Sequence, residues 1–228
     1  MSKDMHSKRL IASITKIMTA TLAIESGKLD DVVEVSPIIK EAYGSGIYIE
    51  VGEEITLKDL VYGLMLRSGN DAAMMISEYI GGTTEEFVNM MNNKAKEIGM
   101  KETTFYNPSG LPTPSGNYSS VYDMALLTKY AMNSPVYQEI VKTKTYKVTT
   151  NKKTYLWHNK NKLLKYDYIT GGKTGYTEES GRTLVSTANI DNMSLIVVTI
   201  RDSDDWNTHI ELYLSLIHIS EPTRRSWI

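Results

Sequence analysis

The spacing of apolar residues divides the 228-residue chain into a helical first part and a strand-rich last third. In the first part, apolar positions recur every three or four residues, which is typical of helices with one buried face. Glycine or asparagine follows most of these segments and predicts where each helix ends. Thr56 is a predicted N-cap, with Asp59 in the capping-box position. The predicted helices start near Leu10, Thr56, Ala72, Thr84 and Val121.

Strand-like alternation dominates the sequence after Pro135. Residues 146–150 and 154–157 alternate around a short polar turn, which predicts a hairpin. Three further segments, 168–175, 182–188 and 193–200, are joined by short turns and predict an antiparallel meander. Earlier, residues 32–35 and 47–51 are short strand candidates. Residues 107–117 are rich in proline, serine and glycine and predict a surface loop.

These elements predict an α/β (α+β) protein with an antiparallel sheet flanked by helices and a mostly helical subdomain. A composition of 41% hydrophobic and 23% charged residues fits one large globular domain or two small ones. The net charge of −2 argues against nucleic acid as the main partner. The absence of cysteine excludes disulfides and thiolate metal sites and leaves the compartment open.

Ser13 and Lys16 lie three residues apart in the first predicted helix. Residues at this spacing share one helix face, so the lysine amine can reach the serine hydroxyl. A lysine activates a serine nucleophile when burial or a second cation lowers the lysine pKa. We expect Lys16 to be neutral at working pH, with Lys173 as the neighbouring cation. Ser13 also lies near a helix start, where free N–H groups can hold an oxyanion.

Two more short motifs follow, Ser68-Gly69-Asn70 at a turn between helices and Lys173-Thr174-Gly175 on a strand. A second hydroxyl can relay a proton, and an asparagine offers a donor and an acceptor to a substrate amide. A lysine and a hydroxyl on an edge strand can hold a carboxylate, while glycine lets a substrate backbone lie against that strand. In this order the three motifs resemble the S-x-x-K, S-D-N and K-T-G set of penicillin-binding proteins and class A β-lactamases, with Gly69 where that pattern has aspartate.

Ser-Gly-Asn occurs twice in the chain, at Ser68 and again at Ser115. Two apolar helices flank Ser68 and can fix its position. Ser115 lies in the proline-rich loop, where serine, glycine and asparagine are ordinary turn formers. We therefore assign the catalytic motif to Ser68.

Residues 7–213 resemble the serine-type D-alanyl-D-alanine carboxypeptidases, which are low-molecular-mass penicillin-binding proteins of the β-lactamase/transpeptidase-like fold. The resemblance rests on the three motifs with their neighbours, including residues 66–73, 118–125 and 172–177. It implies a hydrolase of peptidoglycan biosynthesis that removes the terminal D-alanine from stem pentapeptides. It also implies β-lactams as covalent inhibitors, no cofactor, and an extracytoplasmic location.

By this resemblance, Ser13 is the acylated nucleophile, Lys16 the base, and Ser68 an assisting catalytic residue. The implied substrate-binding residues are Asn70, Lys173, Thr174, Gly175 and Tyr176. The implied oxyanion hole consists of the backbone N–H groups of Ser13 and Tyr176. A stretch at 158–161 also resembles the family, and we expect it to be structural. No metal site is expected, because the histidines are not spaced as metal ligands are; they stand at His6, His158, His209 and His218.

Two other functions remain open on the sequence. A β-lactamase would need a carboxylate to activate the deacylating water, and no Glu-x-x-Leu-Asn follows Ser68 at a suitable distance. A non-catalytic sensor of β-lactams or peptidoglycan could share the fold, since fold does not fix function. Acylation kinetics and D-alanine release distinguish the three.

The two ends of the chain depart from the resemblance. Only twelve residues precede Ser13, whereas the family carries a signal peptide and two strands there, so we expect a catalytic domain over residues 1–213 that is incomplete at its N-terminus. From about Leu214 the sequence reads like a translated sequencing-library adapter, and we expect residues 214–228 to be foreign. We expect membrane anchoring only through a C-terminal segment that is absent here. We also expect the strand at 193–200 to be an open apolar edge and one sheet face to lack its covering helix, which would promote aggregation.

Overall fold

The computed structural model describes the backbone of residues 3–220 and the side chains of residues 3–215. The helices described are α1 (Lys16–Glu25), α2 (Leu57–Arg67), α3 (Asn70–Gly81), α4 (Thr84–Glu97), α5 (Val121–Ala131), α6 (Pro135–Lys142) and α7 (Asp205–Ser220). The strands described are β1 (Arg9–Leu10), β2 (Val32–Glu34), β3 (Glu54–Thr56), β4 (Tyr118–Ser119), β5 (Thr145–Thr149), β6 (Thr154–His158), β7 (Ile169–Thr177), β8 (Gly181–Ile190) and β9 (Met193–Ile200). Short 3₁₀ helices cover Ala12–Thr15, Pro37–Glu41 and Lys162–Lys165. Over residues 3–220, no helix combines the length and apolar character needed to cross a membrane.

The largest sheet is the predicted antiparallel meander, in the order β7-β8-β9. Adjacent residues of β8 point to opposite faces, as strand geometry requires. On one face, Val185 joins the main core formed with the helices of the first part. On the other face, Leu184 packs in a smaller cluster with Tyr213 of α7. The predicted fold class, an antiparallel sheet flanked by helices with a helical subdomain, is therefore confirmed.

Helix α7 covers the sheet face that we expected to be bare, so that expectation is wrong. Tyr213 is fully buried against β8, and its hydroxyl lies 2.8 Å from Ser186 Oγ. The helix continues through Leu214 without a break. The assignment of residues 214–228 as foreign stays a prediction, and residues 221–228 lie outside the described part of the chain. Among the described residues, β9 pairs only with β8 and is an edge strand, as expected.

Several local predictions also need correction. Residues 47–51 form no strand, because Asp71 takes the backbone N–H groups of Ile47 and Tyr48 away from any ladder. Helix α6 was not predicted; Ser134 caps it and Pro135 occupies its first turn, a favourable place for proline. Helix α4 begins at Thr84 as predicted, and its cap is Thr83. The predicted cap of α2 is confirmed, with the Thr56 side chain accepting from the Asp59 N–H.

Candidate active site

Ser13 and Lys16 lie at the junction between a 3₁₀ turn and helix α1. Ser13 belongs to the turn Ala12–Thr15, and Lys16 is the first residue of α1. We predicted a continuous helix from about Leu10, and the tighter turn replaces its first residues. The spacing of three still brings the two side chains together, with Lys16 Nζ 3.1 Å from Ser13 Oγ.

The Lys16 amine is completely buried and has three oxygen partners. Besides Ser13 Oγ, it contacts Asn70 Oδ1 at 2.7 Å and the Ser109 carbonyl oxygen at 2.5 Å. Burial holds the pKa of Lys16 well below its usual range, and the nearby positive charge of Lys173 lowers it further. The direction agrees with the predicted neutral amine, although burial contributes more than Lys173 does.

The chemistry of these partners decides where the amine lone pair points. Amide and peptide oxygens accept hydrogen bonds and cannot donate, so Asn70 and Ser109 each require an N–H from Lys16. A neutral amine has two N–H groups and one lone pair. With both N–H groups used, the lone pair faces Ser13, whose hydroxyl can donate to it.

Ser68 ends helix α2 in the left-handed conformation, with φ of 63°. This residue breaks the helix and turns the chain into α3. The Ser68 hydroxyl accepts a hydrogen bond of 3.0 Å from Lys173 Nζ. Two of the three motifs are thereby joined directly, across a separation of 105 residues.

Asn70, the first residue of α3, connects Lys16 to a neighbouring loop. Its Oδ1 accepts from Lys16, and its Nδ2 donates to the Tyr43 carbonyl oxygen at 2.5 Å. One N–H of the amide is left for another acceptor. Asn70 is 4% exposed and lies behind the cleft wall.

The Lys-Thr-Gly motif lies in β7, an edge strand of the sheet. A Cβ atom on Gly175 would lie 2.8 Å from the Ser13 nitrogen and 2.4 Å from Thr183 Oγ1. Only a residue without a side chain allows β7 to approach the turn that carries Ser13 so closely. The Ser13 N–H therefore lies beside Gly175 of β7, the residue that precedes Tyr176.

Ser13, Ser68 and β7 open onto one cleft of about 290 Å³. Of the predicted site residues, Lys16, Asn70 and Lys173 lie behind its wall, and the others line it. Sequence reasoning missed half of the lining residues. The cleft is lined by Ser13, Ser45, Ser68, Lys160, Thr174, Gly175, Tyr176, Arg182, Asp205 and Trp206.

Lys160 was expected to be structural, yet it contributes directly to the electrostatics of the site. Its Nζ lies 3.1 Å from Ser45 Oγ at the cleft. Its charge lowers the pKa of Lys16, and with burial as the larger cause it lowers the pKa of Lys173 to about 7. Its position just ahead of the Lys-Thr-Gly strand was the signal that could have identified it.

The second Ser-Gly-Asn does not reach the cleft. Ser115 is exposed, whereas Asn117 is 1% exposed and lies against the 3₁₀ turn that precedes α1. The loop at 107–117 is thus partly buried, and it supplies the Ser109 carbonyl to Lys16. The histidines within residues 3–215 form no metal-binding group; His209, for example, lies buried against Ser186 of β8.

Comparison with known proteins connects this geometry to one family. The sequence model of the D-alanyl-D-alanine carboxypeptidases, peptidase family S11, matches residues 1–204. The chain is 43% identical over 208 residues to the D-alanyl-D-alanine carboxypeptidase DacF of Bacillus subtilis, covering 86% of this chain and 52% of DacF. It is 35% identical over 210 residues to DacC of Escherichia coli, covering 85% of this chain and 51% of DacC. The chain spans about half the length of these curated relatives.

Solved structures give the same result. A D-alanyl-D-alanine carboxypeptidase from Mycobacterium tuberculosis superposes with a TM-score of 0.91 at 25% identity, covering 99% of this chain and 87% of the other. The Streptomyces K15 DD-transpeptidase superposes with a TM-score of 0.87 at 28% identity, covering 93% and 90%. Because the family match extends over most of the chain and includes all three motifs, the protein belongs to the D-alanyl-D-alanine carboxypeptidase family, peptidase S11.

Proposed function

We propose that this protein is a serine D,D-carboxypeptidase that removes the terminal D-alanine from peptidoglycan stem pentapeptides. The observation that supports this most directly is the buried Lys16 amine. Its two carbonyl partners leave the lone pair for Ser13, which is the arrangement a serine nucleophile needs. Family membership supports the same reaction class.

In the first step, Ser13 Oγ attacks the carbonyl carbon of the penultimate D-alanine. The hydroxyl proton passes to the neutral Lys16 amine, so the attacking oxygen carries no proton into the new C–O bond. The carbonyl oxygen becomes an oxyanion, which the backbone N–H groups of Ser13 and Tyr176 stabilise.

Collapse of this intermediate breaks the peptide C–N bond. The leaving D-alanine amine takes a proton from Ser68, and the proton that Lys16 gained restores the Ser68 hydroxyl. An ester between Ser13 and the shortened peptide remains. A water then attacks the ester carbonyl with the same proton transfers in reverse, and the peptide leaves with a free carboxylate.

Thr174 lines the cleft and binds the terminal carboxylate of the substrate, while Lys173, just behind the wall, supplies the positive charge that attracts it. Burial and the charge of Lys160 lower the pKa of Lys173 to about 7 in the free protein. A carboxylate bound nearby favours the ammonium form, so substrate binding restores the positive charge that holds it. Within residues 3–220, β7 pairs only with β8, so the backbone groups on its other side can also pair with the extended peptide.

The β-lactamase alternative is not favoured. Within the described residues, the hydrogen-bond partners of Lys16 are a hydroxyl, an amide oxygen and a peptide oxygen. None is a carboxylate that could act as a strong base on the water that releases a penicilloyl group. Penicillins are therefore expected to acylate Ser13 and leave slowly, as covalent inhibitors. The substrate places the enzyme outside the cytoplasm, where peptidoglycan is assembled.

Two assays test the proposal on the same samples. Incubation with a D-Ala-D-Ala pentapeptide should release D-alanine, and a fluorescent penicillin should label the protein in a burst followed by slow loss. Ser13→Ala should abolish both signals, and Lys16→Ala should nearly do so. Penicillin labelling without D-alanine release would indicate a sensor. Fast penicillin turnover would indicate a β-lactamase, and wild-type acylation in Lys16→Ala would refute the assigned base.

A further inference from the structure

The second Ser-Gly-Asn has no part in the proposed chemistry, yet its asparagine is among the most buried polar residues. Asn117 is 1% exposed, whereas Ser115 of the same motif is exposed. A buried carboxamide is costly unless its donors and acceptors are all used. The partners of Asn117 therefore indicate what it holds in place.

All the hydrogen-bonding capacity of the Asn117 side chain is used. Its Oδ1 accepts from the backbone N–H of Tyr106 at 2.7 Å and of Asn107 at 3.1 Å. Its Nδ2 donates to the Asn107 carbonyl oxygen at 2.8 Å and to Thr15 Oγ1 at 2.9 Å. Asn117 thus ties both ends of the 107–117 loop together and fastens them to the residue that precedes Lys16.

The rest of the loop is pressed against the same turn. The Asn107 Oδ1 accepts from the N–H groups of Ser109 and Gly110, which folds residues 107–110 into a tight turn. Gly110 has φ of 86°, and a Cβ there would lie 1.9 Å from the Ala12 carbonyl oxygen. Thr19 Oγ1 donates to the Pro108 carbonyl oxygen at 2.7 Å. The loop is therefore attached to the catalytic helix on both sides of Lys16.

The atom that this network presents is the Ser109 carbonyl oxygen, 2.5 Å from Lys16 Nζ. This oxygen takes one of the two N–H groups of the neutral amine. If it moves away, that N–H can turn toward Ser13 Oγ, and the lone pair no longer faces the nucleophile.

We propose that Asn117 is a positioning residue, whose carboxamide fixes the Ser109 carbonyl on Lys16 and thereby aims the amine lone pair at Ser13. This inference rests on the proposed function of Ser13 and Lys16.

Loosening the loop has a second consequence, because the loop also keeps water from Lys16. Burial is the largest cause of the lowered Lys16 pKa. The charged groups that face the amine are Lys173 on β7 and Lys160 after β6, which lower its pKa, and Asp71 on α3, which raises it. None of these belongs to the loop, so a displaced loop acts mainly by admitting water and raises the Lys16 pKa.

The test compares Asn117→Ala, Thr15→Val and the matched control Ser115→Ala by stopped-flow acylation with a penicillin. Saturation kinetics separate noncovalent binding from the acylation rate constant, and urea unfolding reports stability. A misplacement of about 1 Å costs about 10²-fold in rate. We therefore expect the acylation rate constant of Asn117→Ala to fall by about 10²-fold, with noncovalent binding of the penicillin unchanged. We also expect the acid limb of its pH profile to move to higher pH. Ser115→Ala should match wild type.

Thr15→Val removes one of the hydrogen bonds that hold the loop, the one from Asn117 to the turn before Lys16, and leaves the other contacts of the loop in place. We expect its acylation to fall roughly three- to tenfold, as for one lost hydrogen bond. This variant keeps the inference testable if Asn117→Ala does not fold. The inference would be overturned if the folded variants had the acylation rate constants and pH profiles of wild type, even if the variants were less stable. If wild type is not acylated, the proposed function fails, and this failure is separate from that of the inference. Side-chain NMR of Lys16 then shows whether Asn117→Ala raises the pKa of Lys16. An unchanged Lys16 pKa would also overturn the inference.

Discussion

Replacing Lys173 with methionine should make the protein more stable while abolishing its acylation. Lys173 is 2% exposed, and burial together with the charge of Lys160 lowers its pKa from 10.5 to about 7. Such a fall means that folding disfavours the charged form by roughly 5 kcal/mol. Methionine has a similar length and carries no charge, so it avoids this cost.

Two hydrogen bonds offset part of the gain. Lys173 Nζ donates to Ser68 Oγ at 3.0 Å and to the Thr174 carbonyl oxygen at 2.7 Å, and each bond contributes about 1 kcal/mol. We therefore expect Lys173→Met to be about 2–3 kcal/mol more stable than wild type at pH 7 and below.

The pH dependence gives the sharper measurement. Between the folded pKa of about 7 and the unfolded value of 10.5, the unfolded chain binds more protons than the folded one. Wild-type stability therefore rises with pH across this window, and the advantage of the variant should shrink by about 2 kcal/mol between pH 7 and pH 9.

Urea unfolding of wild type and Lys173→Met at pH 6, 7 and 9 provides these values, with the exposed Lys162→Met as the matched control. Penicillin labelling of the same samples should show acylation lost in Lys173→Met and retained in Lys162→Met. The reasoning would be refuted if Lys173→Met were less stable than wild type by the same amount at pH 6, 7 and 9. That result would mean that the buried lysine carries no desolvation cost.

Three further predictions concern the cleft and the residues around it. Ser68→Ala should slow acylation by roughly 10²–10⁴-fold, the effect of a lost proton-transfer group; in stopped-flow acylation, a larger effect in Ser115→Ala would reverse our choice of motif. Gly175→Ala should slow acylation by about 10²-fold, because its Cβ would lie 2.8 Å from the Ser13 nitrogen and push β7 away; wild-type penicillin labelling would show that β7 can shift freely. Asp71→Asn should destabilise the protein by about 1–3 kcal/mol in urea unfolding, since its carboxylate accepts from the N–H groups of Ile47, Tyr48 and Ala72. Asp71→Asn should also move the acid limb of the pH profile of acylation to lower pH, because the Asp71 charge raises the pKa of Lys16. A shift of this limb to higher pH would contradict the prediction.

Local sequence patterns determined the parts of the site that depend on short spacings. The pair Ser13 and Lys16 could be predicted because three residues of any helical turn bring two side chains onto one face. The break at Ser68 followed from glycine and asparagine after an apolar helix, and the meander followed from period-two alternation. In each case neighbours in sequence are also neighbours in space, so the pattern alone carries the geometry.

A sequence pattern that is compatible with more than one local structure gave a weaker prediction. Ile47 and Ile49 are buried as alternation suggests, yet the segment is no strand, because a carboxylate rather than a neighbouring strand takes its N–H groups. Alternation reports which side chains are buried and does not report the partner of the backbone. For the same reason, the sequence did not predict that α7 would cover the sheet.

The sequence by itself thus determined the pairing of Ser13 with Lys16 and the strand that faces this pair. Only the tertiary structure decided what surrounds that lysine. The Ser109 carbonyl reaches Lys16 across 93 residues of sequence, and Asn117 reaches Thr15 across 102. A peptide carbonyl carries no sequence signal, and an asparagine in a proline-rich loop looks the same whether water or a buried helix accepts its hydrogen bonds. Those partners are selected by the packing of the loop against α1, which no short spacing encodes.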